Sequence, residues 1–336
     1  MANNDQNTSA SDQLYSEDIN RKLMDSSSLG YKTVKAPKIL KTIPIYLLLL
    51  IPLILGLKIT LYSRDKYIRE YFKDDTMLFK NASKVPDIIW GLTHSMLPIG
   101  AGIGALSISY ISNILGRKYS VIGCAIVGIS AQLILFSAFY SKKYLLLVLS
   151  RFLDGLSSGS SMNVGLCYFF DILPRSQVSK CQPLVQLFLN FGLVISCIFS
   201  LDEIIGKQWI FTSIPVTIVQ GLLILILLCL SESPQYIYEK TTDRQKTLTI
   251  LSRLRGKNYS GLKDELDMII NDAEKNANVQ KISILAFLRD KSLAASIFVM
   301  SIIQLFQQFS GINAIIYYAN TFMEQAKFSR GDIGSI

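Results

Sequence analysis

Long apolar stretches alternate with polar ones along the 336-residue chain, and seven of the apolar stretches are long enough to cross a bilayer. They lie at about 43–62, 88–114, 119–140, 144–170, 183–201, 209–230 and 293–322. Because a membrane-spanning helix needs roughly 20 apolar residues, this pattern predicts an all-α polytopic membrane protein. We number the seven predicted helices spans 1 to 7 in chain order.

The polar stretches divide the chain into four predicted parts. Residues 1–41 are rich in Ser, Asn and Asp and lack the apolar region of a signal peptide, so we expect a disordered cytoplasmic tail. Residues 42–230 hold spans 1 to 6, which we expect to form an N-terminal bundle. Residues 231–292 are charged with leucines at helical spacing, which predicts a cytoplasmic helical linker. Residues 293–336 hold span 7.

Composition and charge agree with a membrane protein. The chain is 50% hydrophobic and 18% charged, whereas a soluble domain carries about 25% charged residues. The formal net charge of +9 allows nucleic acid as a partner, but we assign it to basic cytoplasmic flanks that orient the spans and meet anionic lipid. The segment 240–291 holds about eleven Lys and Arg, in line with this orientation, although the loop after span 1 is also basic.

The residue types that carry catalysis or bind metals are sparse. The chain has a single histidine, and none of its five cysteines has the C-x-x-C spacing. It also shows no pair of catalytic carboxylates and no nucleophile with a histidine. We therefore expect neither a metal nor a cofactor and do not expect an enzyme.

Span 7 contains an unusual number of side-chain amides. Gln304, Gln307, Gln308 and Gly311 follow one another at helical spacing and share a face, and Asn313 comes after the glycine, which weakens the helix. An amide that faces lipid without a partner is costly, so these groups should face a cavity or the protein interior. This pattern suits a small, uncharged, hydroxyl-rich ligand. The alternative is a polar seam that joins two helices.

Spans 2 and 4 each carry two glycines four residues apart. These are Gly100 and Gly104 in span 2 and Gly155 and Gly159 in span 4. Small residues at this spacing let the backbones of membrane helices approach closely, so we expect both pairs to lie at helix contacts.

Several motifs, in order along the chain, resemble the signatures of one family. The span 7 sequence Q-Q-x-S-G-I-N-A-x-x-Y-Y begins at Gln307, and residues 113–118 resemble N-R-x-G-R-R/K. Residues 151–174 are similar to R-x-x-x-G-x-x-x-G followed by Y-x-x-E-x-x-P, and residues 231–235 to P-E-S-P-R. The match covers most of the chain after span 1 and resembles the sugar porter family, the branch of the major facilitator superfamily that includes the facilitative glucose transporters.

The resemblance implies a fold and a substrate. The fold would be two six-helix bundles joined by the cytoplasmic helical linker, with a hexose bound between them and alternating access as the mechanism. The residues implied to bind the sugar are Gln186 in span 5 and Gln304, Gln307, Gln308 and Asn313 in span 7.

The resemblance also implies a cytoplasmic charge network that closes an inner gate. Its members would be Arg117, Lys118, Arg151, Asp171 and Glu232. Asp171 stands where the family has Glu, so one gate carboxylate is shorter. Val178 and Ser179 stand where the family has Arg-Gly, which removes one gate cation.

Energy coupling depends on two charged residues inside spans. Proton-linked members of the family carry an aspartate in span 1, where this chain has Lys58. We interpret this difference as favouring facilitated diffusion, with proton-coupled symport as the alternative and Asp154 as its candidate proton site. An unpaired charge in a membrane is expensive, so we predict that Lys58 pairs with Asp154; the other interpretation is that Lys58 reaches the interface.

The sequence thus predicts a facilitative hexose transporter in the plasma membrane with a cytoplasmic N-terminus. Counterparts of the family's last five spans do not follow span 7, so we expect that the chain lacks the C-terminal half that a complete transporter needs. A truncated sugar sensor or regulatory membrane protein that does not transport is the second hypothesis.

Overall fold

The computed structural model describes most of the chain after residue 44. It describes residues 45–59, 65–72, 86–199, 208–256, 259, 261–278, 291–312 and 315. All regular structure among these residues is helical, which confirms the all-α prediction. The predicted tail at 1–41 lies outside the described residues.

The described residues form eleven α-helices. They are α1 Leu50–Ile59, α2 Asp65–Tyr71, α3 Asp87–Leu115, α4 Arg117–Ser141, α5 Tyr144–Ile172, α6 Arg175–Phe199, α7 Ser213–Cys229, α8 Pro234–Thr241, α9 Arg244–Arg255, α10 Leu262–Asn278 and α11 Lys291–Phe309. Turns of 3-10 helix at Leu47–Leu49 and Trp209–Thr212 lead into α1 and α7. The seven predicted spans correspond to α1, α3 to α7 and α11.

The helices differ in how apolar they are. By length and composition, the ranges Asp87–Leu115, Arg117–Ser141, Gln177–Phe199 and Trp209–Cys229 qualify as membrane spans, and Leu47–Ile59 and Ala295–Phe309 are shorter apolar helices. The helix α5 is also 29 residues long, but its charged and serine side chains make it more polar. Most of those polar side chains are buried, among them Arg151, Asp154 and Ser157, and α5 packs along α3 and α4.

Glycines bring α3 and α5 into backbone contact, as their spacing predicts. A Cβ atom on Gly155 would overlap the carbonyl oxygen of Leu97, and one on Gly100 would overlap that of Phe152. Any larger side chain at these positions would push the two helices apart. The predicted role of the glycine pairs in helix contact is therefore confirmed.

A second close crossing, between α1 and α6, was not predicted. A Cβ atom on Gly56 would overlap the carbonyl oxygen of Leu189, and one on Gly192 would overlap that of Leu53. Each helix contributes one glycine to this crossing, so neither has the four-residue spacing that marks such contacts in a sequence. This crossing fixes the position of α6 against α1.

The end of the bundle opposite the linker is closed by an aromatic cluster. The connection after span 1, which the sequence presents as polar, contains the short helix α2, and the side chains of Ile68 and Phe72 are fully buried. The Tyr71 ring stacks on Phe139 with centroids 4.7 Å apart, and Trp209 packs edge-on against both rings. This apolar contact explains why a short helix forms in an otherwise polar segment.

The linker is helical, as its leucine spacing predicts, and it is attached to the end of α5. The guanidinium of Arg255 forms a bidentate ion pair with Glu265 and donates a hydrogen bond of 2.6 Å to the carbonyl oxygen of Ile172. That oxygen belongs to the last turn of α5, where the helix itself supplies no partner. A small apolar core of Leu251, Leu266 and Ile269 joins α9 to α10.

Candidate functional site: amide faces and two charge clusters

The helix α6 presents a stripe of polar side chains on its exposed face. Gln182, Gln186 and Asn190 follow one another at four-residue intervals, which places them on one side of the helix, and all three are exposed. The amide nitrogen of Gln186 donates a hydrogen bond of 3.3 Å to the side-chain oxygen of Asn190. The stripe lies on a helix that is apolar enough to span a membrane.

The helix α11 presents the other predicted amides. Gln304, Gln307 and Gln308 are all helical and exposed, so the predicted face exists. The helix ends at Phe309, and Gly311 has a φ of 76°, a backbone conformation that favours glycine. The predicted break in span 7 is therefore confirmed, whereas Asn313 lies outside the described residues.

The grouping of the five predicted sugar-binding residues into one site stays a prediction. Among the described residues, the hydrogen bond of the Gln186 side chain goes to Asn190 on its own helix. None of the predicted sugar-binding residues that the structure describes lines either of two cavities in the described part of the chain. One, of about 340 Å³, has an almost wholly apolar lining that includes Leu50 and Phe188, and the other, of about 560 Å³, lies in the linker beside Arg244.

Four of the five predicted gate residues lie at the linker end of the bundle. The backbone nitrogen of Lys118 donates to the Glu232 carboxylate at 2.9 Å, and its ammonium group donates to the carbonyl oxygen of Leu230 at 2.7 Å. The Asp171 carboxylate accepts a hydrogen bond of 2.8 Å from the hydroxyl of Ser233, the residue next to Glu232. The α3–α4 turn, the end of α5 and the start of the linker thus meet here.

Arg117 extends this linker-end cluster towards α8. Its guanidinium lies 3.6 Å from the Glu239 carboxylate and 5.1 Å from the centre of the Tyr236 ring. Gly116, the preceding residue, has a φ of 96°, and a Cβ atom there would crowd the Glu232 carboxylate. Glycine is therefore required at this turn for both its conformation and its small size.

The assignment of Arg151 to this network needs correction. Arg151 lies twenty residues before Asp171 on the same helix, and at 1.5 Å per residue this separates the two by about 30 Å. Arg151 is fully buried, and it donates a hydrogen bond of 3.2 Å to the carbonyl oxygen of Lys58 in the last turn of α1. It therefore contacts span 1, far from the linker end.

A second charge cluster lies inside the bundle. The Lys58 ammonium group is 2.9 Å from the Asp154 carboxylate, and both side chains are 0% exposed. The amide nitrogen of Gln132 on α4 lies 2.9 Å from each carboxylate oxygen, and Lys58 also reaches the Ser157 hydroxyl at 3.4 Å. The predicted pairing of Lys58 with Asp154 is confirmed, and the alternative that Lys58 reaches the interface is wrong because its side chain is buried.

This buried pair is compensated by its surroundings. Removing a charged group from water costs roughly several kcal/mol. The attraction between two buried charges offsets this cost only when their remaining donors and acceptors are also hydrogen-bonded. Gln132 and Ser157 supply such partners, so the pair ties α1 to α4 and α5. No sequence pattern marks Gln132, because a single amide in an apolar span has no characteristic spacing.

The family follows from a match over most of the chain. The family model described as "Sugar (and other) transporter" matches residues 47–336. This chain belongs to that family.

Curated relatives that match the chain are transporters. The rat "Solute carrier family 2, facilitated glucose transporter member 5" is 25% identical over 284 residues, which cover 83% of this chain and 56% of the relative. The chicken facilitated glucose transporter member 2 is 28% identical over 254 residues, covering 74% of this chain and 47% of the relative. The chain of this family member spans about half the length of the curated relatives it matches.

Solved structures show that the family member has the major facilitator fold. The proton:xylose symporter XylE bound to 6-bromo-6-deoxy-D-glucose superposes with a TM-score of 0.69 at 18% identity, over 87% of this chain and 64% of XylE. An inward open conformation of XylE from E. coli gives a TM-score of 0.62 at 18% identity, over 82% of this chain and 63% of XylE. Together with the apolar helices, this shows a multi-pass integral membrane protein.

Proposed function

We propose that this protein carries a hexose across the plasma membrane by facilitated diffusion. The observation that carries the proposal is the set of exposed amides on α6 and α11, two apolar helices of a transporter fold. Two relatives are facilitated glucose transporters by name, which agrees with a hexose as the substrate.

The chemistry of the amides suits a sugar. Each amide offers a donor and an acceptor without charge, and each sugar hydroxyl can both donate and accept. The described residues leave Gln186 and Gln307 exposed, so both amides are open to a ligand, or to a further helix if they form a seam. The sugar would bind between two bundles, of which α1 and α3 to α7 supply the first and α11 a part of the second.

We place the gate at the linker end, on the cytoplasmic side, with a cytoplasmic N-terminus. The contacts of Lys118, Asp171 and Glu232 join three segments that alternating access would have to separate. This end of the bundle would be closed while these hydrogen bonds are formed and would open when they break. The number of Lys and Arg residues in the linker supports its cytoplasmic location.

The experiment is hexose uptake by the protein that the native transcript encodes. Gln186→Ala, Gln307→Ala and Gln308→Ala should each weaken hexose binding by about 1–3 kcal/mol, because a buried sugar hydroxyl loses its partner. Asn163→Ala is the matched control, since this exposed amide on α5 donates to the backbone oxygen of Ala105. Unchanged affinity in all three glutamine variants would reject the sugar site and favour helix association.

Proton-coupled symport is the second candidate, and the buried carboxylate of Asp154 is the observation that favours it. We favour facilitated diffusion because Lys58 neutralises that carboxylate inside the bundle. Accumulation of sugar that collapses with a protonophore and is lost in Asp154→Asn would establish symport. Saturable hexose binding without flux would establish the sugar sensor.

A further inference from the structure

We propose that Asn190 is a specificity-determining residue that acts as one unit with Gln186 in recognising the sugar. The proposal rests on the proposed function, since it concerns the same face of α6. It adds a second amide to the span 5 contribution, where the sequence motif supplies only Gln186.

The first argument is the hydrogen bond between the two side chains. Gln186 donates through its amide nitrogen to the oxygen of Asn190 at 3.3 Å, and this directs the other branch of its amide, the oxygen, away from Asn190. The torsion that orients a glutamine amide is broad, so an isolated Gln186 would sample many orientations. Asn190 therefore selects the orientation in which Gln186 offers its oxygen to a ligand.

The second argument concerns what the pair offers. With its oxygen used by Gln186, Asn190 keeps an amide nitrogen to which the structure assigns no acceptor among the described residues. One helical turn of α6 thus presents an acceptor from Gln186 and donors from Asn190. Neighbouring hydroxyl groups of a hexose, each able to donate and accept, match this arrangement.

The third argument is the rigidity of the backbone that carries Asn190. Its neighbours Leu189 and Gly192 form the close crossing with α1, where a Cβ atom on Gly56 would overlap the Leu189 carbonyl oxygen. A recognition group held on such a fixed backbone loses little freedom on binding. An amide pair of this kind also stabilises isolated helices, but an apolar span in lipid needs no such help, and its exposed amides are costly there.

The test compares Asn190→Leu with Gln186→Leu and the double variant in uptake assays with D-glucose and a series of deoxy-glucoses. We expect Asn190→Leu to raise KM roughly 3- to 10-fold with little change in kcat, the effect of one lost neutral hydrogen bond. The unmodified protein should bind one particular deoxy-glucose more weakly than D-glucose, and Asn190→Leu should remove this difference in KM. The double variant should change KM by less than the two single variants combined. Asn163→Leu, which removes an exposed amide from α5, should leave KM unchanged.

The outcomes separate this proposal from the function on which it rests. If Gln186→Leu raises KM while Asn190→Leu does not, or if the two effects add fully, Asn190 does not act as proposed and the sugar site stands. If neither variant changes KM, α6 does not contact the sugar and the proposal fails, and the α11 variants Gln307→Ala and Gln308→Ala then decide whether the sugar site itself stands. Thermal unfolding in detergent checks that each variant is folded, and Asn190→Thr gives the same test with a smaller expected shift if the leucine variant does not fold.

Discussion

The ion pairs of the two charge clusters differ in how far their side chains are exposed to solvent. Lys58 and Asp154 form a pair that is 0% exposed and is joined by an amide and a hydroxyl. At the linker end, Arg117 and Glu239 remain 18% and 32% exposed. Screening and side-chain entropy make an exposed pair worth about 0–1 kcal/mol, whereas breaking a buried pair costs about 3–5 kcal/mol.

This contrast suggests two different tasks for charges within one bundle. Under the proposed function, a pair that is expensive to break would hold α1 against α4 and α5 throughout transport. Pairs that are cheap to break would form and separate as the proposed gate closes and opens. The following predictions test this division, from the largest expected effect to the smallest.

Removing one partner of the buried pair should have the largest effect. Lys58→Ala leaves the Asp154 carboxylate charged and buried, so we expect a loss of about 3–5 kcal/mol in the free energy of unfolding. The double variant Lys58→Met with Asp154→Leu should recover most of that loss, because it leaves no charge behind. Thermal unfolding in detergent measures both. A double variant as unstable as the single one would show that the pair is not what holds these helices together.

The second largest effect should come from Arg255, which attaches the linker to the end of α5. Arg255→Ala removes the bidentate contact to Glu265 and the hydrogen bond to the Ile172 carbonyl oxygen, and we expect a loss of about 2–3 kcal/mol. The rate of proteolytic cleavage in the linker measures this loss locally, and Arg255→Lys should be cleaved more slowly than Arg255→Ala. Equal protection in the alanine variant would mean that the apolar contacts of α9 and α10 suffice.

At the linker-end cluster we expect a change in conformational balance with little loss of stability. Arg117→Ala removes the contacts to Glu239 and Tyr236, worth about 1 kcal/mol, so inward-facing states should become more populated. Labelling of engineered cysteines from each side of the membrane measures this balance. A variant that fails to insert, or one whose labelling is unchanged, would argue for a purely structural role.

The smallest effect should follow from the exposed pair within the linker. The side chains of Arg244 and Asp267 are 64% and 53% exposed, so Arg244→Ala should change the free energy of unfolding by less than about 0.5 kcal/mol. Thermal unfolding measured alongside the Lys58 and Arg255 variants provides the comparison. A loss as large as that of Arg255→Ala would contradict the link between burial and strength.

Features with a strong local signal could be predicted from the sequence. Apolar length marked the spans, four-residue spacing marked the glycine contacts, and the cost of a lone charge in a bilayer pointed to the pairing of Lys58 with Asp154. The rise of an α-helix alone shows that Arg151 and Asp171 lie far apart, so the sequence was sufficient to exclude one network for both residues, although they share a motif.

The remaining features depend on contacts between distant segments. The helix α2 forms because Ile68 and Phe72 are buried in apolar surroundings that other segments provide. The short sequence of α2 alone does not predict this burial. The crossing of α1 and α6 uses one glycine from each helix, and Gln132 acquires its role only when α4 lies beside Asp154. In each case the signal lies in the partner segment, so a single stretch of sequence cannot show it.

The most direct test is uptake of D-glucose and L-glucose into proteoliposomes that contain the protein encoded by the native transcript, with and without an imposed inward proton gradient. The proposed function predicts saturable uptake of D-glucose over L-glucose that reaches the same final level in both conditions, because the buried pair of Lys58 and Asp154 is structural. Equal uptake of the two enantiomers would contradict hexose transport. Accumulation above the external concentration that a protonophore abolishes would contradict facilitated diffusion.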